Sequence, residues 1–360
     1  MAIYLLGAFL LSFTCGWVFT PAILDYCKRK KLYDLPNGRK IHHNAIPRMG
    51  GISFFPSMVL AFAICLIVIT ANSGIDRPFS IWSASFLVGL SIIYFTGIID
   101  DLIGLNATTK FTAQICAACL LPMAGLYLNN LYGLFGIYEI PYYICFPLTI
   151  FIIVFIDNAY NLIDGIDGLA GSLSVLALAG FLVYFVYYNV FMNTYAILTA
   201  GLMGALIAFL IFNLFGKPEK NTKIFMGDSG SLSLGFTLGF LSVKCMMNNT
   251  LIWDYRPEAL LVPLTLLFVP IADVARVTLY RLLHRQPLFK ADKNHIHHKM
   301  MRTGMSQHQT LWAILALAVV YIIMNSMLYM VMSPTYIVLI DIVLYCFVHL
   351  GINRKMKMTI

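Results

Sequence analysis

Three short polar stretches interrupt the apolar runs of this chain, and each carries carboxylates. A charged side chain near lipid costs about 2.5 to 3.5 kcal/mol on insertion scales, so carboxylates at such positions indicate a function. Mg²⁺ binds one or two carboxylates together with substrate phosphate oxygens and water. The stretches therefore predict a site for Mg²⁺, or alternatively Mn²⁺, and a phosphorylated substrate. The carboxylates concerned are Asp100, Asp101, Asp164, Asp167 and Asp228.

Two of these stretches lie at predicted helix ends. Asp100 and Asp101 are adjacent, and neighbouring side chains on a helix point about 100° apart, so one can bind metal while the other does different work. FMGDSGS, residues 225–231, directly precedes an apolar helix. There Asp228 or Ser229 can cap the helix, and its free amides can receive phosphate. A structural cap is the alternative for any one of these aspartates, whereas their recurrence favours metal binding.

The third stretch, NAYNLIDGIDGLAGS at 158–172, combines acids, amides and glycines. Asp164 and Asp167 are three residues apart, so they share a face on a helix, and in a turn the glycines allow the backbone to approach a ligand closely. Asn158 and Asn161 add amide donors and acceptors. This set is more typical of nucleotide or sugar contacts than of packing.

The hydrophilic stretch from 276 to 302 is rich in Lys and Arg and contains HIHH at 295–298. Basic side chains in such a loop favour phosphate recognition. The histidines His295, His297 and His298 are predicted to hydrogen-bond a sugar or phosphate. A zinc site is the alternative, but no Cys lies nearby and four ligands are not apparent.

The elements that must position these residues follow from composition. Hydrophobic residues make up 60% of the 360 residues and charged residues 11%, which predicts an all-α, polytopic membrane protein rather than a soluble domain. About eleven transmembrane helices are predicted, or ten if a short one is re-entrant. The predicted spans are 3–24, 51–71, 81–99, 111–128, 142–156, 169–189, 195–213, 229–247, 259–280, 311–332 and 335–350.

The distribution of positive charge predicts the topology. If the N-terminus is outside, all but three of the 24 Lys and Arg residues fall on one face, and the exceptions are Arg77, Lys244 and Arg256. The positive-inside rule makes that face cytoplasmic, together with the C-terminus. Lys40 and Arg48 in the first basic loop are candidates for phosphate contact. The predicted cytoplasmic loops are about 25–50, 100–110, 157–168, 214–228 and 281–310.

In order along the chain stand PRMGG, the Asp pair, NAYNLIDGIDGLAGS, FNLF with FMGDSGS, and HIHH. Each motif is weak alone, but five in this order, all on one predicted face, closely resemble the polyprenyl-phosphate N-acetylhexosamine-1-phosphate transferases over nearly the whole chain. The HIHH and PRMGG forms are similar to the WecA-type branch, which uses UDP-N-acetylglucosamine. The MraY branch typically has a run of three histidines.

The resemblance implies one integral-membrane transferase domain over residues 1–360, acting at the cytoplasmic face of a bacterial inner membrane. Its partners would be a UDP-N-acetylhexosamine, undecaprenyl phosphate and the lipid bilayer, with a homodimer possible and no nucleic acid. The reaction would leave a lipid-linked diphosphate sugar and UMP. The site residues that it implies are Asp100, Asp101, Asp164, Asp167, Asn213, Asp228, Arg281, His295, His297 and His298.

Roles follow from bringing two anionic phosphates together, which requires a cation and basic donors in a partly desolvated cleft. Asp101 and Asp228 are predicted to bind Mg²⁺, and Asp100 to act on the lipid phosphate as base or metal ligand. Asp164 and Asp167 are assigned to the nucleotide or to the cation's shell. Direct attack and an aspartyl intermediate both stay open, as do the preferred sugar and the glycan pathway.

Two other classes of protein are alternatives to this transferase function. An intramembrane prenyltransferase also holds Mg²⁺ on Asp-rich helix ends, but it needs two DxxxD-like motifs that this chain lacks. A secondary transporter would place charges along a midplane path. Here Asp341, and at most also Asp273, lies inside a predicted span.

Overall fold

A computed structural model describes residues 1–34, 45–73, 80–188, 192–249, 254–287 and 293–359. Lys40 lies outside these ranges. The described residues form thirteen α-helices: α1 (Ala2–Arg29), α2 (Phe54–Ser73), α3 (Ile81–Ile103), α4 (Ala107–Met123), α5 (Tyr142–Ile163), α6 (Leu169–Tyr187), α7 (Asn193–Phe215), α8 (Asp228–Met246), α9 (Leu261–Leu266), α10 (Phe268–Leu283), α11 (Ile296–Arg302), α12 (Gln307–Leu328) and α13 (Pro334–Thr359). Two antiparallel hairpins pair β1 (Tyr33–Asp34) with β2 (Ile46–Pro47) and β3 (Asn130–Leu134) with β4 (Ile137–Glu139). Short 3₁₀ helices cover Gly50–Ser53 and Pro218–Lys220.

Within the described ranges, eight helices are long and apolar enough to cross a bilayer. They are α1, α2, α3, α5, α6, α7, α12 and α13. The predicted all-α membrane protein is therefore confirmed. The other three predicted spans coincide with α4, which has 17 residues, the polar α8, and a helix broken at Leu267 into α9 and α10. The number eleven and the orientation of the termini stay predictions.

Helix α8 lies at the centre of the molecule although it is rich in serine and glycine. Every residue from Ser229 to Met246 is buried, and α8 packs mainly on α3 and α5. Hydroxyls along its length donate within the helix: Ser233 donates to the carbonyl of Ser229 at 2.6 Å, and Thr237 to that of Ser233 at 2.7 Å. At Gly97 of α3 a Cβ would lie 2.5 Å from the Cα of Ser229. The missing side chain thus allows α3 to approach the first turn of α8.

Helices α3 and α4 form a tight hairpin at the same end of the molecule. Helix α3 ends at Ile103, and Gly104 follows with φ 73°, a left-handed conformation that suits glycine. Asn106 then caps α4, because its side-chain oxygen accepts from the N–H of Thr109 at 2.7 Å. A turn this short returns the first turn of α4 alongside the last turn of α3.

Candidate functional site

Asp101, at the end of α3, caps the start of α8. Its two carboxylate oxygens accept from the backbone N–H groups of Asp228 at 2.9 Å and Ser229 at 3.0 Å. Gly227 precedes them with φ 76°, and a Cβ there would lie 2.6 Å from the Asp101 carboxylate. The expectation that Asp228 or Ser229 caps α8 with its own side chain was wrong, since a carboxylate from another helix occupies those amides. The negative charge also suits the positive end of the helix dipole.

Asp100 points away from Asp101, as their adjacency predicted, and faces Asp228. Lys110, in the first turn of α4, contacts both acids: its Nζ lies 3.1 Å from an Asp100 oxygen and 2.8 Å from an Asp228 oxygen. The two carboxylates also lie close enough to hydrogen-bond each other. Asp100 accepts in addition from the N–H of Leu105. One ammonium group thus stands between two acids from different helices.

Helix α5 contributes the two predicted asparagines in different ways. Asn161 donates to Asp228 at 3.0 Å and to the hydroxyl of Ser231 at 2.9 Å. It therefore joins the acidic cluster, which consists of Asp100, Asp101, Asp228 and Lys110. Asn158 donates instead to the side chain of Gln114 at 2.8 Å and to the carbonyl of Val154 at 2.8 Å. The bond to Gln114 ties α5 to α4, and the bond to Val154 lies within α5.

The turn between α5 and α6 carries Asp164 and Asp167. Burial, with the nearby charges of Asp228, Asp167 and Asp101, raises the pKa of Asp164 to about 8. Asp167 forms an ion pair of 2.6 Å with Lys223 from the loop before α8. The two aspartates therefore differ in their surroundings: Asp164 is near other acids, whereas Asp167 is paired with the positive charge of Lys223.

Asn213, at the end of α7, connects that turn to the loop before α8. Its side-chain oxygen accepts from the N–H of Gly168 at 2.7 Å, and its Nδ2 donates to the carbonyl of Ile224 at 2.9 Å. Gly168 has φ 74°, and a side chain there would overlap Leu214. Both polar ends of Asn213 bind main chain, which fixes the two loops relative to each other.

The PRMGG segment packs against the loop that leads into α8. The amides of Gly50 and Gly51 donate to the carbonyls of Phe225 and Met226, both at 2.8 Å. This pairing places Arg48 beside the start of α8. The guanidinium is half-buried, and its Nε has no hydrogen-bond partner among the described residues. A basic group is thus held beside the start of α8, and its contact with a phosphate stays a prediction.

The histidine segment is organised by Asp273 of α10. This fully buried carboxylate accepts from the ring of His295 at 2.8 Å, from Arg276 at 2.8 Å and from the N–H of Ile296 at 3.0 Å. Asp273 therefore both caps α11 and orients His295. Arg281 is buried in the last turn of α10.

His297 is buried against the α5–α6 turn. Its ring lies where any side chain at Gly165 would stand, and it packs against His298 with ring centroids 4.2 Å apart. Neither ring nitrogen has a hydrogen-bond partner within the described chain. Burial, with the neighbouring His298 and His295, lowers the pKa of His297 to about 3. A neutral ring with spare hydrogen-bonding capacity thus meets the Asp164 turn.

The structure therefore joins most predicted residues into one region with three parts: the acidic cluster, the Asp164 turn and the histidine segment. Sequence reasoning missed three side chains that hold it together. Lys110 could have been found from the short α3–α4 turn, and Lys223 from its place between the FNLF and MGD motifs. Asp273 was noted as a carboxylate inside a span, but no sequence signal connected it with His295.

The acidic cluster can provide a pair of metal ligands but not a complete cage. Within the described ranges, no three His, Cys, Asp or Glu side chains are arranged to hold a metal ion by themselves. Asp100 and Asp228 nevertheless face each other across a cation, Lys110, which shows that this position stabilises positive charge. Two carboxylates are as many as Mg²⁺ needs when substrate phosphates and water complete its shell.

Comparison with known proteins places the chain in a family. Residues 83–246 match the model of glycosyl transferase family 4. The chain is 30% identical over 324 residues to the probable undecaprenyl-phosphate N-acetylglucosaminyl 1-phosphate transferase of Bacillus subtilis (strain 168), covering 87% of this chain and 82% of that relative. It is 29% identical over 303 residues to the undecaprenyl-phosphate alpha-N-acetylglucosaminyl 1-phosphate transferase of Escherichia coli (strain K12), covering 81% and 76%. The expected resemblance is confirmed, and the chain belongs to glycosyl transferase family 4.

Proposed function

We propose that this protein transfers N-acetylglucosamine 1-phosphate, or a related N-acetylhexosamine 1-phosphate, from a UDP-sugar to undecaprenyl phosphate. An oxygen of the lipid phosphate forms a bond to the phosphorus that carries the sugar, and the bond from that phosphorus to the oxygen of UMP breaks. UMP leaves, and the product is a lipid-linked diphosphate sugar. Such a product would begin the synthesis of a surface glycan.

The observation that carries the proposal is the shared contact of Lys110 with Asp100 and Asp228. It brings three helix ends together at one point, and α5 adds Asn161 to the same cluster. Helix ends between apolar spans lie at the membrane interface, where a lipid phosphate and a water-soluble nucleotide can meet. The excess of positive charge on this face supports its placement at the cytoplasmic side of a bacterial inner membrane.

Asp100 and Asp228 are the residues that would hold a divalent cation, Mg²⁺ or Mn²⁺. The predicted pair was Asp101 and Asp228, but Asp101 already accepts two amide hydrogens at the start of α8. When bound, the cation would neutralise the approaching phosphates and the leaving UMP. Asp101 instead fixes the position of Asp228, and Lys110 holds the two acids and offers a positive charge to the phosphates.

The rest of the region suits the donor. Asp167 with Lys223 and the Asp164 turn provide charged and main-chain groups for a nucleotide. His297, neutral and without a partner for either ring nitrogen, can hydrogen-bond the sugar or its phosphate. Arg48 supplies a further cation near the start of α8. The names of the two relatives, which both contain undecaprenyl-phosphate, support undecaprenyl phosphate as the acceptor.

The test is a transfer assay with purified protein, labelled UDP-N-acetylglucosamine, undecaprenyl phosphate and Mg²⁺. We expect label in the organic phase, one UMP released for each lipid product, and loss of both after chelation of the cation. A panel of UDP-sugars would identify the preferred donor. Uptake into vesicles without lipid product would support a transporter and exclude the proposal.

Asp228→Asn tests the site. We expect it to lower kcat by about 10³-fold or more at any Mg²⁺ concentration, because a ligand for the cation is lost at the reacting phosphates. The matched control is Asp25→Asn, since Asp25 is an exposed acid paired with Lys28. Wild-type turnover in Asp228→Asn would remove the assignment of this residue.

A further inference from the structure

A polar group of side chains lies inside the bundle, away from the candidate site. Asp341 of α13 and Asn325 of α12 are each 2% exposed, and Asn325 contacts both Asp341 and Thr265 of α9. The Nδ2 of Asn325 donates to Asp341 Oδ2 at 2.8 Å and to the hydroxyl of Thr265 at 2.9 Å. These three residues connect two membrane-spanning helices to the point where α9 ends and α10 begins.

Two oxygens in this group have no donor. Asp341 Oδ1 and Asn325 Oδ1 are both buried, and neither has a hydrogen-bond partner among the described residues. A buried carboxylate oxygen and a buried amide oxygen without donors are costly inside the bundle, and they belong to two side chains that already share one hydrogen bond. The side-chain amide of Asn325 has already used both of its hydrogens.

One proton removes both defects. A carboxylic acid and a carboxamide are complementary: the amide N–H donates to the acid's carbonyl oxygen, and the acid O–H donates to the amide oxygen. The first of these bonds is present at 2.8 Å. We propose that Asp341 is a neutral acid whose Oδ1 hydrogen bonds Asn325 Oδ1, closing a cyclic acid–amide pair that clamps α12 and α13.

The clamp lies where it can fix the direction of α10. Thr265 is in the last turn of α9, and the chain breaks at Leu267 because Pro270 provides no N–H for the carbonyl of Leu266. Helix α10 then carries Asp273, which orients His295. The pair thus connects a helix break inside the bundle to the histidine segment through one short helix.

Among the described residues, two other titratable groups lie near the pair. Tyr321 of α12 donates its hydroxyl hydrogen to the backbone carbonyl of Asp341 at 3.4 Å, and Cys346 of α13 lies near Tyr321. Neither the Tyr321 hydroxyl nor the Cys346 thiol brings a positive charge to the Asp341 carboxyl. A proton on the carboxyl is therefore its simplest source of neutrality.

Infrared spectroscopy of the full chain in nanodiscs tests the proposal. We expect the C=O stretch of a hydrogen-bonded, protonated carboxylic acid at neutral pH. Asp341→Asn should abolish this band yet keep the Tm within about 2 °C, because two amides form the same cyclic pair. Asp341→Leu should lower the Tm by about 4 °C, since it removes interhelical hydrogen bonds and strands Asn325. In Asn325→Leu the band should move to the higher frequency of a free acid.

Three results would overturn the proposal. They are the absence of an acid band assignable to Asp341, a large loss of stability in Asp341→Asn, and stabilisation of the wild type by Na⁺ over choline that disappears in Asp341→Asn. The last would identify a sodium site. Because none of these readouts is transferase activity, they are independent of the proposed function.

Discussion

Helix α8 meets carboxylates from α3 and an ammonium group from α4 at its first residue, and two buried basic side chains, Lys244 and Arg256, lie near its last. At the far end, the Nζ of Lys244 lies 3.9 Å from the ring centroid of Trp82. Arg256 donates to the hydroxyl of Tyr184 at 2.8 Å and to the carbonyl of Met247 at 2.7 Å. Both ends follow the helix dipole, which favours anions at the start and cations at the end.

The two ends differ in how their charges are neutralised. At the far end, aromatic rings pack against the Nζ of Lys244, and a hydroxyl and a carbonyl accept from the guanidinium of Arg256. Such partners stabilise buried basic groups. At the start, Asp100 and Asp228 share the ammonium group of Lys110, and the carboxylate of Asp101 accepts from the N–H of Asp228. Like charges held together reduce stability, and proteins accept this at functional sites. We therefore expect the start of α8 to serve the reaction and its end to serve stability.

Asp101→Asn should have the largest effect of the substitutions at the two ends of α8. Asn offers one acceptor oxygen to two amides, and its NH₂ group would face the second amide N–H. We expect a loss of about 10³-fold in kcat through displacement of Asp228. A fall in Tm should accompany it, because a buried amide loses its partner. Turnover and thermal unfolding measured on one preparation would check both. Full turnover with a lowered Tm would reduce Asp101 to a structural cap.

Lys110→Met should lower kcat by about 10²-fold, because a positive charge beside the phosphates is lost. Without the ammonium group, Asp100 and Asp228 repel each other, so a divalent cation should stabilise the variant more than the wild type. Melting curves with and without Mg²⁺ measure this difference, and Lys110→Arg is the control that keeps the charge. An equal Mg²⁺-induced shift in all three proteins would contradict the proposed cation pair.

Arg256→Met should have the opposite signature at the far end of α8. Its loss leaves Tyr184 and the Met247 carbonyl without a donor, so the free energy of unfolding should fall by about 2 kcal/mol. The kcat of the folded fraction should stay at the wild-type value. Denaturation and active-site-normalised turnover separate the two quantities. A loss of kcat at unchanged stability would show that the charges at this end serve the reaction.

The sequence predicted the apolar helices, because these depend on local pattern, and it predicted the meeting of the acidic stretches from their placement on one face of the membrane. It could not show that Asp101 caps α8, since this depends on the close packing of α3 at Gly97. The role of Lys110 depends on the geometry of one short turn. The main-chain contacts of Asn213 depend on two loops meeting. In each case the missing information was a contact between elements distant in the chain.

The smallest effect on activity is expected for His297. It tests whether the histidine segment serves the reaction, like the start of α8, or serves stability, like the end of α8. The folded state holds the pKa of His297 near 3, below its ordinary value of 6.5. Its contribution to stability is therefore complete above pH 6.5 and decreases by about 1.4 kcal/mol for each pH unit below that. His297→Gln should remove this part of the acid sensitivity, whereas substitution of the exposed His308 by Gln should not.

The same variant tests substrate binding. The neutral ring of His297 has two nitrogens without a partner among the described residues, so it can hydrogen-bond a ligand. His297→Gln should therefore also raise the KM for the UDP-sugar at pH 7.5, where this titration does not affect stability. An unchanged KM with altered acid sensitivity would place His297 with the structural residues, beside Arg256 rather than Asp228.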